Sequence, residues 1–400
     1  MIRLPLLKDN HNHFFTYSAL DNAIDLFYFK SKNHALKLIH EKQNQKYIIV
    51  KGWFDSYYSF TSNDLNHLPP IIIANNSLHK YVFNSKAEDI IKKDFPEWVQ
   101  NNDNQDWVEN NIYKIISFIA GLFPINEDIV QKSYQKLLKS GVCFASDMFV
   151  TNPKIIELLK NEKISNITEV WTSIDNYNAI NDKQKALCKG IKLFTDGANG
   201  AFSAAIESYK IKSSPFLSYN DSELNEILDK ALSFKTMIAI HAIGDIAIEK
   251  LVNTIKKHQS KILDGQIRIE HAQFITKKQA KLAKDLGLIL CMQPNFNMDS
   301  IVYTDRLNKH YLETNNPFRM LIDEVGFVPG KDLIFGSDGM PTGIEGVIEQ
   351  SLFPPVSGQK LKIDEFAVGY CSDNNDLGYI EIEIDELKKK IFSRVETPLL

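Results

Sequence analysis

The 400-residue chain is 44% hydrophobic and 24% charged, which excludes disorder, collagen-like repeats and coiled coils and is ample for a large buried core. Its 46 Lys and Arg against 50 Asp and Glu give a formal net charge of −4, so no general basic field exists to hold nucleic acid or anionic lipid. Cys143, Cys188, Cys291 and Cys371 lie far apart without a C-x-x-C pair, against a zinc ribbon or a disulfide framework.

At the N-terminus the apolar run in Met1 to His13 is too short for a signal peptide, and Ile115 to Phe123 is too short to span a bilayer, so a reducing, cytoplasmic setting is expected. The first predicted strand is Leu4–His13. An inserted region follows, from about Glu41 to Pro124, with strands at Tyr47–Trp53 and Pro70–Ala74 and helices near Lys86–Phe95 and Val108–Leu122. From Gly141 onward short apolar, β-branched runs alternate with helical patterns. The runs are Gly141–Met148, Ile167–Ile174, Ile191–Gly197, Met237–Asp245, Ile267–Gln273, Leu288–Pro294 and Leu333–Gly339. Strands separated by helices indicate parallel βαβ units, and eight of them indicate a (β/α)8 TIM barrel of the α/β class. A doubly wound open sheet is the alternative, but no G-x-G-x-x-G follows a first strand and no GxxxxGK[ST] occurs. The expected organisation is 1–40 as the first βα unit, 41–124 as an insertion capping the barrel mouth, 125–356 as the rest of the barrel, and 357–400 as a helical tail.

TIM barrels carry their chemistry at the carboxyl ends of the strands, and the polar residues of this chain gather there. His11 and His13 are two apart on a strand and share a face, so they can share a metal; solvated loop histidines are the alternative. Alternation along Ile191–Asp196 puts Lys192 on the face opposite Ile191 and Leu193; if those two pack under the helices, Lys192 points into the barrel, where a buried ammonium must be paired, neutralised or chemically altered. Pairing with Asp338 or Asp196 is one outcome, and carbamylation to an anionic metal ligand is the other. His241 and His271 end consecutive strands, and Asp338 ends the last. Nitrogen and oxygen donors without thiolate suit Zn²⁺, with Mn²⁺, Fe²⁺ or Co²⁺ as competitors. His34, His40, His67, His258 and His310 sit in polar segments expected at the surface and receive no role.

Taken in order, DNHNH (Asp9–His13), IKLFTDGANGAFSAA (Ile191–Ala205), AIHAIGDIAIEKLV (Ala239–Val252), RIEHAQFIT (Arg268–Thr276), CMQPNF (Cys291–Phe296) and FGSDGMP (Phe335–Pro341) resemble the metal-dependent amidohydrolase superfamily, in its YtcJ-like branch, amidohydrolase family 3. The inserted IIIANNSLHKYVFNSKA (Ile71–Ala87) is similar to a family segment that faces substrate, at positions corresponding to His79 and Asn84. The resemblance implies a TIM barrel holding one or two divalent metals, with His11 and His13 on the more buried one, His241 and His271 on the second, and Lys192 bridging as a carbamate. It further implies that Asp338 ligates metal and moves a proton while a metal-activated hydroxide attacks an amide, a related C–N bond or an ester of a small molecule. An amidohydrolase-like barrel that binds metal or ligand without turnover is the second reading, and isomerase or decarboxylase chemistry on the same scaffold a third. Trp53, Tyr57, Tyr58 and Phe83 either line the mouth or form local core. Family members usually carry a satellite β-sandwich, which is expected to be largely missing here, because ten residues precede His11 and the tail after Asp376 turns into a Lys-rich helical pattern. Pairing of subunits into a homo-oligomer is one way to cover the surface so exposed.

Overall fold

The computed structural model describes residues 1–26, 28–55, 57–75, 80–122, 125–210 and 216–398. In chain order its strands are β1 (Ile2–Pro5), β2 (Leu7–Asn12), β3 (Ile24–Asp25), β4 (Ile48–Trp53), β5 (Ile71–Asn75), β6 (Tyr81–Phe83), β7 (Val142–Asp147), β8 (Thr168–Ser173), β9 (Cys188–Phe194), β10 (Met237–Ala242), β11 (Ile267–His271), β12 (Ile289–Met292), β13 (Leu333–Phe335), β14 (Tyr379–Asp385) and β15 (Lys390–Glu396). The chain packs as two units, residues 1–15 with 126–400, and Thr16–Ile125.

The first unit contains an eight-stranded parallel sheet in the order β13-β12-β11-β10-β9-β8-β7-β2, with helices between successive strands. This is the (β/α)8 barrel. Its strands bury both faces, as parallel strands covered by helices must: the adjacent pairs Ile191 and Lys192, Ile238 and Ala239, and Ile267 and Arg268 are all at most 4% exposed. β13 and β2 close the ring through strand-end contacts. Asp338 N–H donates to the His11 carbonyl at 2.7 Å, Ser337 N–H to the Asp9 carboxylate at 2.8 Å, and the Asn10 amide to the Phe335 carbonyl at 2.9 Å. Gly336 makes this closure possible, because a Cβ there would lie 2.4 Å from the His11 nitrogen.

Two expectations for this unit are corrected. The predicted strand Leu4–His13 is two strands, because Pro5 has no N–H to continue a ladder; β1 leaves the barrel and pairs with β14. The predicted helical tail is instead the antiparallel hairpin β14–β15, which with β1 forms a three-stranded sheet. The alternation Ile380, Ile382, Ile384 has period two, and of the lysines that suggested a helix Lys388 and Lys389 occupy the turn, where Lys389 has φ 52°, while Lys390 opens β15. A helix does precede it, at Ile363–Tyr370.

In the second unit, β3 to β6 form one sheet whose alternate residues enter two cores. Ile49, Ile72, Ala74 and Tyr81 pack with residues of helices Ser85–Asp94, Pro96–Asn101 and Gln105–Gly121. Ile48, Val50, Ile71 and Ile73 pack with Ala35 and Ile39 of helix Lys32–His40 and with Leu65. The insertion therefore begins near Thr16, well before the expected Glu41. The helix assigned to the first barrel unit belongs to this sheet. No helix among the described residues is long and apolar enough to cross a membrane.

Candidate metal centre

The polar residues singled out from the sequence lie on β2, β9, β10 and β11 or directly after β2 and β13, at the carboxyl ends of barrel strands. His11, His13 and Asp338 converge, with one ligand-type atom from each lying within 4.8 Å of the others. Asp338 Oδ1 is 3.1 Å from His13 Nε2 and 3.4 Å from His11 Nε2. The His11 and His271 rings are 4.7 Å apart between centroids, and His271 and His241 are 4.6 Å apart, so three imidazoles form a continuous cluster.

Each of these three histidines donates through one ring nitrogen to a protein acceptor. His11 Nδ1–H faces Glu270 Oε2 at 2.6 Å, and His241 Nε2–H faces the Gly197 carbonyl at 3.1 Å. His271 Nδ1–H donates to Gln293 Oε1 at 2.7 Å, an oxygen oriented by the Gln293 amide donating to the Cys291 carbonyl. These contacts fix the tautomers and leave a bare lone pair on His11 Nε2, His241 Nδ1 and His271 Nε2. Burial and the nearby Lys192 bring His11 down to about 4, and burial with His241 holds His271 well below the ordinary imidazole range, so both rings are neutral. His13 is different: burial opposes its charge, but the Asp338 carboxylate outweighs it and raises the ring. Asp338 is held below the usual carboxylate value because His11, His13 and Lys192 overcome the effect of burial.

Lys192 is 2% exposed, and its Nζ, 5.1 Å from the Phe194 ring centroid, has no hydrogen-bond partner among the described residues. Burial pushes it down to about 8, against the attraction of Glu270 and Asp338. Asp196, one of its two expected partners, is instead spent on the backbone N–H groups of Ala205, Ile243 and Gly244. The site thus contains a bare imidazole nitrogen facing a carboxylate oxygen, and a buried amine without an acceptor. A divalent cation held by nitrogen and oxygen donors would relieve the first, and conversion of the amine to an anion would relieve the second. The donor set fits such an ion.

His11, Glu270 and Cys291 form a second triad of suitable spacing, but it is a poorer candidate. Both Glu270 oxygens are already engaged, by Arg268 at 2.6 and 3.0 Å and by His11. Burial also keeps the Cys291 thiol protonated, well above its ordinary value.

His271 and Asp338 adopt φ of 71° and 58°, left-handed conformations that residues with a side chain seldom take. Asn295 brackets the Asp338 turn, its amide donating to the carbonyls of Ser337 and Met340 at 2.9 and 2.8 Å.

Glu270, Arg268, Gln293 and Asn295 were not singled out by the sequence reading. The signal for the first two was present, since Arg268 and Glu270 are two apart on β11 and so share a face. Glu270 is held well below the usual carboxylate value because Arg268, ahead of His11, outweighs burial. Replacing Glu270 with Gln is expected to lower zinc affinity 10- to 100-fold, because the His11 tautomer loses its anchor. It also strands a buried guanidinium, which lowers stability by roughly 3–5 kcal/mol. Zinc titration and urea unfolding read the two effects separately.

The expected substrate residues fare differently. His79 and the preceding 76–78 lie outside the described residues. Asn84 is 1% exposed, and its amide donates to the carbonyls of Leu65, Leu68 and Pro69 while its oxygen accepts from Ile71 and Ala87. That is a structural corner of the second unit, with no polar atom left for a substrate. Trp53 and Phe83 sit in the cores of that unit, as does half-buried Tyr58. Of the five remaining histidines, His258 is not at the surface: it is 7% exposed, with Nδ1 on the Thr254 carbonyl and Nε2 3.2 Å from Asp229.

The sequence model of the amidohydrolase family matches residues 142–347. YtcJ of Bacillus subtilis (strain 168), an amidohydrolase by name, is 23% identical over 385 residues, covering 81% of this chain and 68% of that protein. Two solved structures of uncharacterized metal-dependent hydrolases share the fold. The one from Pyrococcus horikoshii OT3 has a TM-score of 0.68 at 22% identity, over 87% of this chain and 74% of that one. The one from Pyrococcus furiosus has a TM-score of 0.69 at 21% identity, over 91% and 80%. With over half of its length matched by the family model, the chain belongs to the amidohydrolase family, in the YtcJ-like branch of these hydrolases.

Proposed function

We propose that the chain is a metal-dependent hydrolase that cleaves an amide or related C–N bond of a small molecule. One observation carries this reading: His11, His13 and Asp338 present convergent ligand atoms beside a buried lysine amine that has no hydrogen-bond partner among the described residues. His11 and His13 would hold one ion with Asp338, and His241 and His271 would supply lone pairs for a second. Zn²⁺ suits this donor set best. The bound ion would supply Lewis-acid polarisation of the carbonyl and lower the pKa of water.

The chain's own groups do the rest. Asp338, ionised at neutral pH and aimed by its left-handed backbone, accepts the proton released as water attacks and returns it to the leaving nitrogen. Lys192, brought down to about 8, is partly neutral at physiological pH, and its free amine can add to CO₂ with loss of a proton. The resulting carbamate is an anion where an unpaired cation stood. Gln293, Glu270 and the Gly197 carbonyl hold the imidazoles in orientation throughout.

Chelator-stripped protein reloaded with zinc is expected to hydrolyse members of a panel of small N-acyl compounds, and the stripped protein to be inactive. Zinc-loaded protein that hydrolyses none of them would favour the reading as a binding protein.

A further inference from the structure

We propose that Asn199 determines substrate specificity: its side-chain oxygen accepts a hydrogen bond from the N–H of the reacting amide. The site then takes primary and secondary amides and turns away tertiary amides and esters. The proposal rests on the hydrolase reading above and adds the class of bond.

Asn199 opens the short turn Asn199–Ala201 that follows β9 and is 2% exposed. Its Nδ2 donates to Gln273 Oε1 at 3.0 Å and to Asp299 Oδ2 at 3.3 Å, and Gln273 Nε2 donates to the same carboxylate oxygen at 2.7 Å. Rotating the Asn199 amide by half a turn would press its oxygen against two other acceptors. The orientation is therefore fixed, with the nitrogen on Gln273 and Asp299 and the oxygen turned away from them. A carboxylate behind the amide also polarises it and strengthens the oxygen as an acceptor. That oxygen, buried, has no hydrogen-bond partner among the described residues.

The place of this triad connects it with the chemistry. Asn199 lies three residues beyond Asp196, whose Oδ1 is 3.3 Å from His241 Nε2. Gln273 lies two residues beyond His271, and Asp299 three beyond Phe296, whose ring runs parallel to that of His271, 8° apart in plane and 6.1 Å between centroids. All three residues sit past the carboxyl ends of β9, β11 and β12, the end of the barrel at which His241 and His271 stand. A fixed, acceptor-only group there asks for a donor. The N–H of a primary or secondary amide provides one; an ester oxygen or an N-alkylated nitrogen leaves the group unpaired, and buried polar groups discriminate strongly against such analogues.

The test uses zinc-loaded full-length protein and two chelators that bind zinc through the same oxygens, acetohydroxamic acid and N-methylacetohydroxamic acid. They differ only in N–H against N–CH₃. The wild type is expected to bind the N–H compound roughly tenfold or more tightly than its N-methyl partner. Asn199→Leu is expected to bring the ratio close to one mainly by weakening the N–H compound, and Asn199→Ser gives the same readout should the leucine variant not fold. A wild-type ratio near one, or a ratio unchanged in the variants, overturns the proposal while leaving the metal centre intact. Failure of both compounds to bind overturns the metal-centre reading and this proposal with it.

Discussion

Replacing Lys192 with methionine is expected to stabilise the metal-free chain and to abolish turnover of the zinc-loaded one. The amine is held at about 8 in the folded chain, against 10.5 ordinarily, with burial as the main cause. Between those values the unfolded chain binds more protons than the folded one, so stability rises with pH through that window. The penalty is fully present below about pH 8, on the order of 3 kcal/mol for a displacement of this size. Methionine fills a similar volume without a charge, so the substitution removes that penalty, on the order of 3 kcal/mol. The Lys192→Met variant, measured by urea unfolding at pH 7, should gain stability of this order, and the gain should shrink toward pH 10. Its zinc affinity and turnover should fall together. A lysine retained for packing alone would show no such opposition, since its loss would leave zinc binding and turnover unchanged.

Asp338→Asn is expected to lower kcat by roughly 10²- to 10⁴-fold, the range for removing a group that transfers a proton in the transition state. Zinc content should fall much less, because His11 and His13 remain, with the His11 lone pair directed by Glu270. The amide of asparagine occupies nearly the same volume and can keep the turn that Asn295 brackets. Turnover retained within a fewfold of wild type would remove Asp338 from the proton-transfer role. Complete loss of zinc would instead assign it a purely ligating one.

The barrel was legible because its parallel strands are short apolar runs buried on both faces, each ending in a polar residue, and such runs stand out from amphipathic helices. Lys192 could be placed inside from alternation once Ile191 and Leu193 were taken to pack under the helices, and it is 2% exposed. The order of the ligand-type residues along the chain then brought His11, His13 and Asp338 together over more than three hundred positions of sequence.

In two places charged residues obscured a period-two pattern. Arg268 and Glu270 are charged residues inside a barrel strand, legible only when their spacing of two is taken as a shared interior face and an ion pair. In the tail, lysines in a turn masked the alternation of Ile380, Ile382 and Ile384. The start of the insertion was hidden for a different reason. Helix Lys32–His40 has the apolar spacing that any βα unit would have, and only the packing of Ala35 and Ile39 against β4 and β5 assigns it to the second unit. Asn84 was singled out by likeness of sequence, whereas its five hydrogen bonds to local backbone explain it as a corner of that unit.

Zinc binding to chelator-stripped protein, followed by calorimetry and elemental analysis, bears most directly on the centre. The wild type should take up at least one zinc ion per chain and melt at a higher temperature when loaded, while a chain with His11 and His13 both replaced by alanine should lose that ion and that shift. Equal zinc uptake by the two proteins, or none by the wild type, would contradict a metal centre built on β2 and the turn after β13.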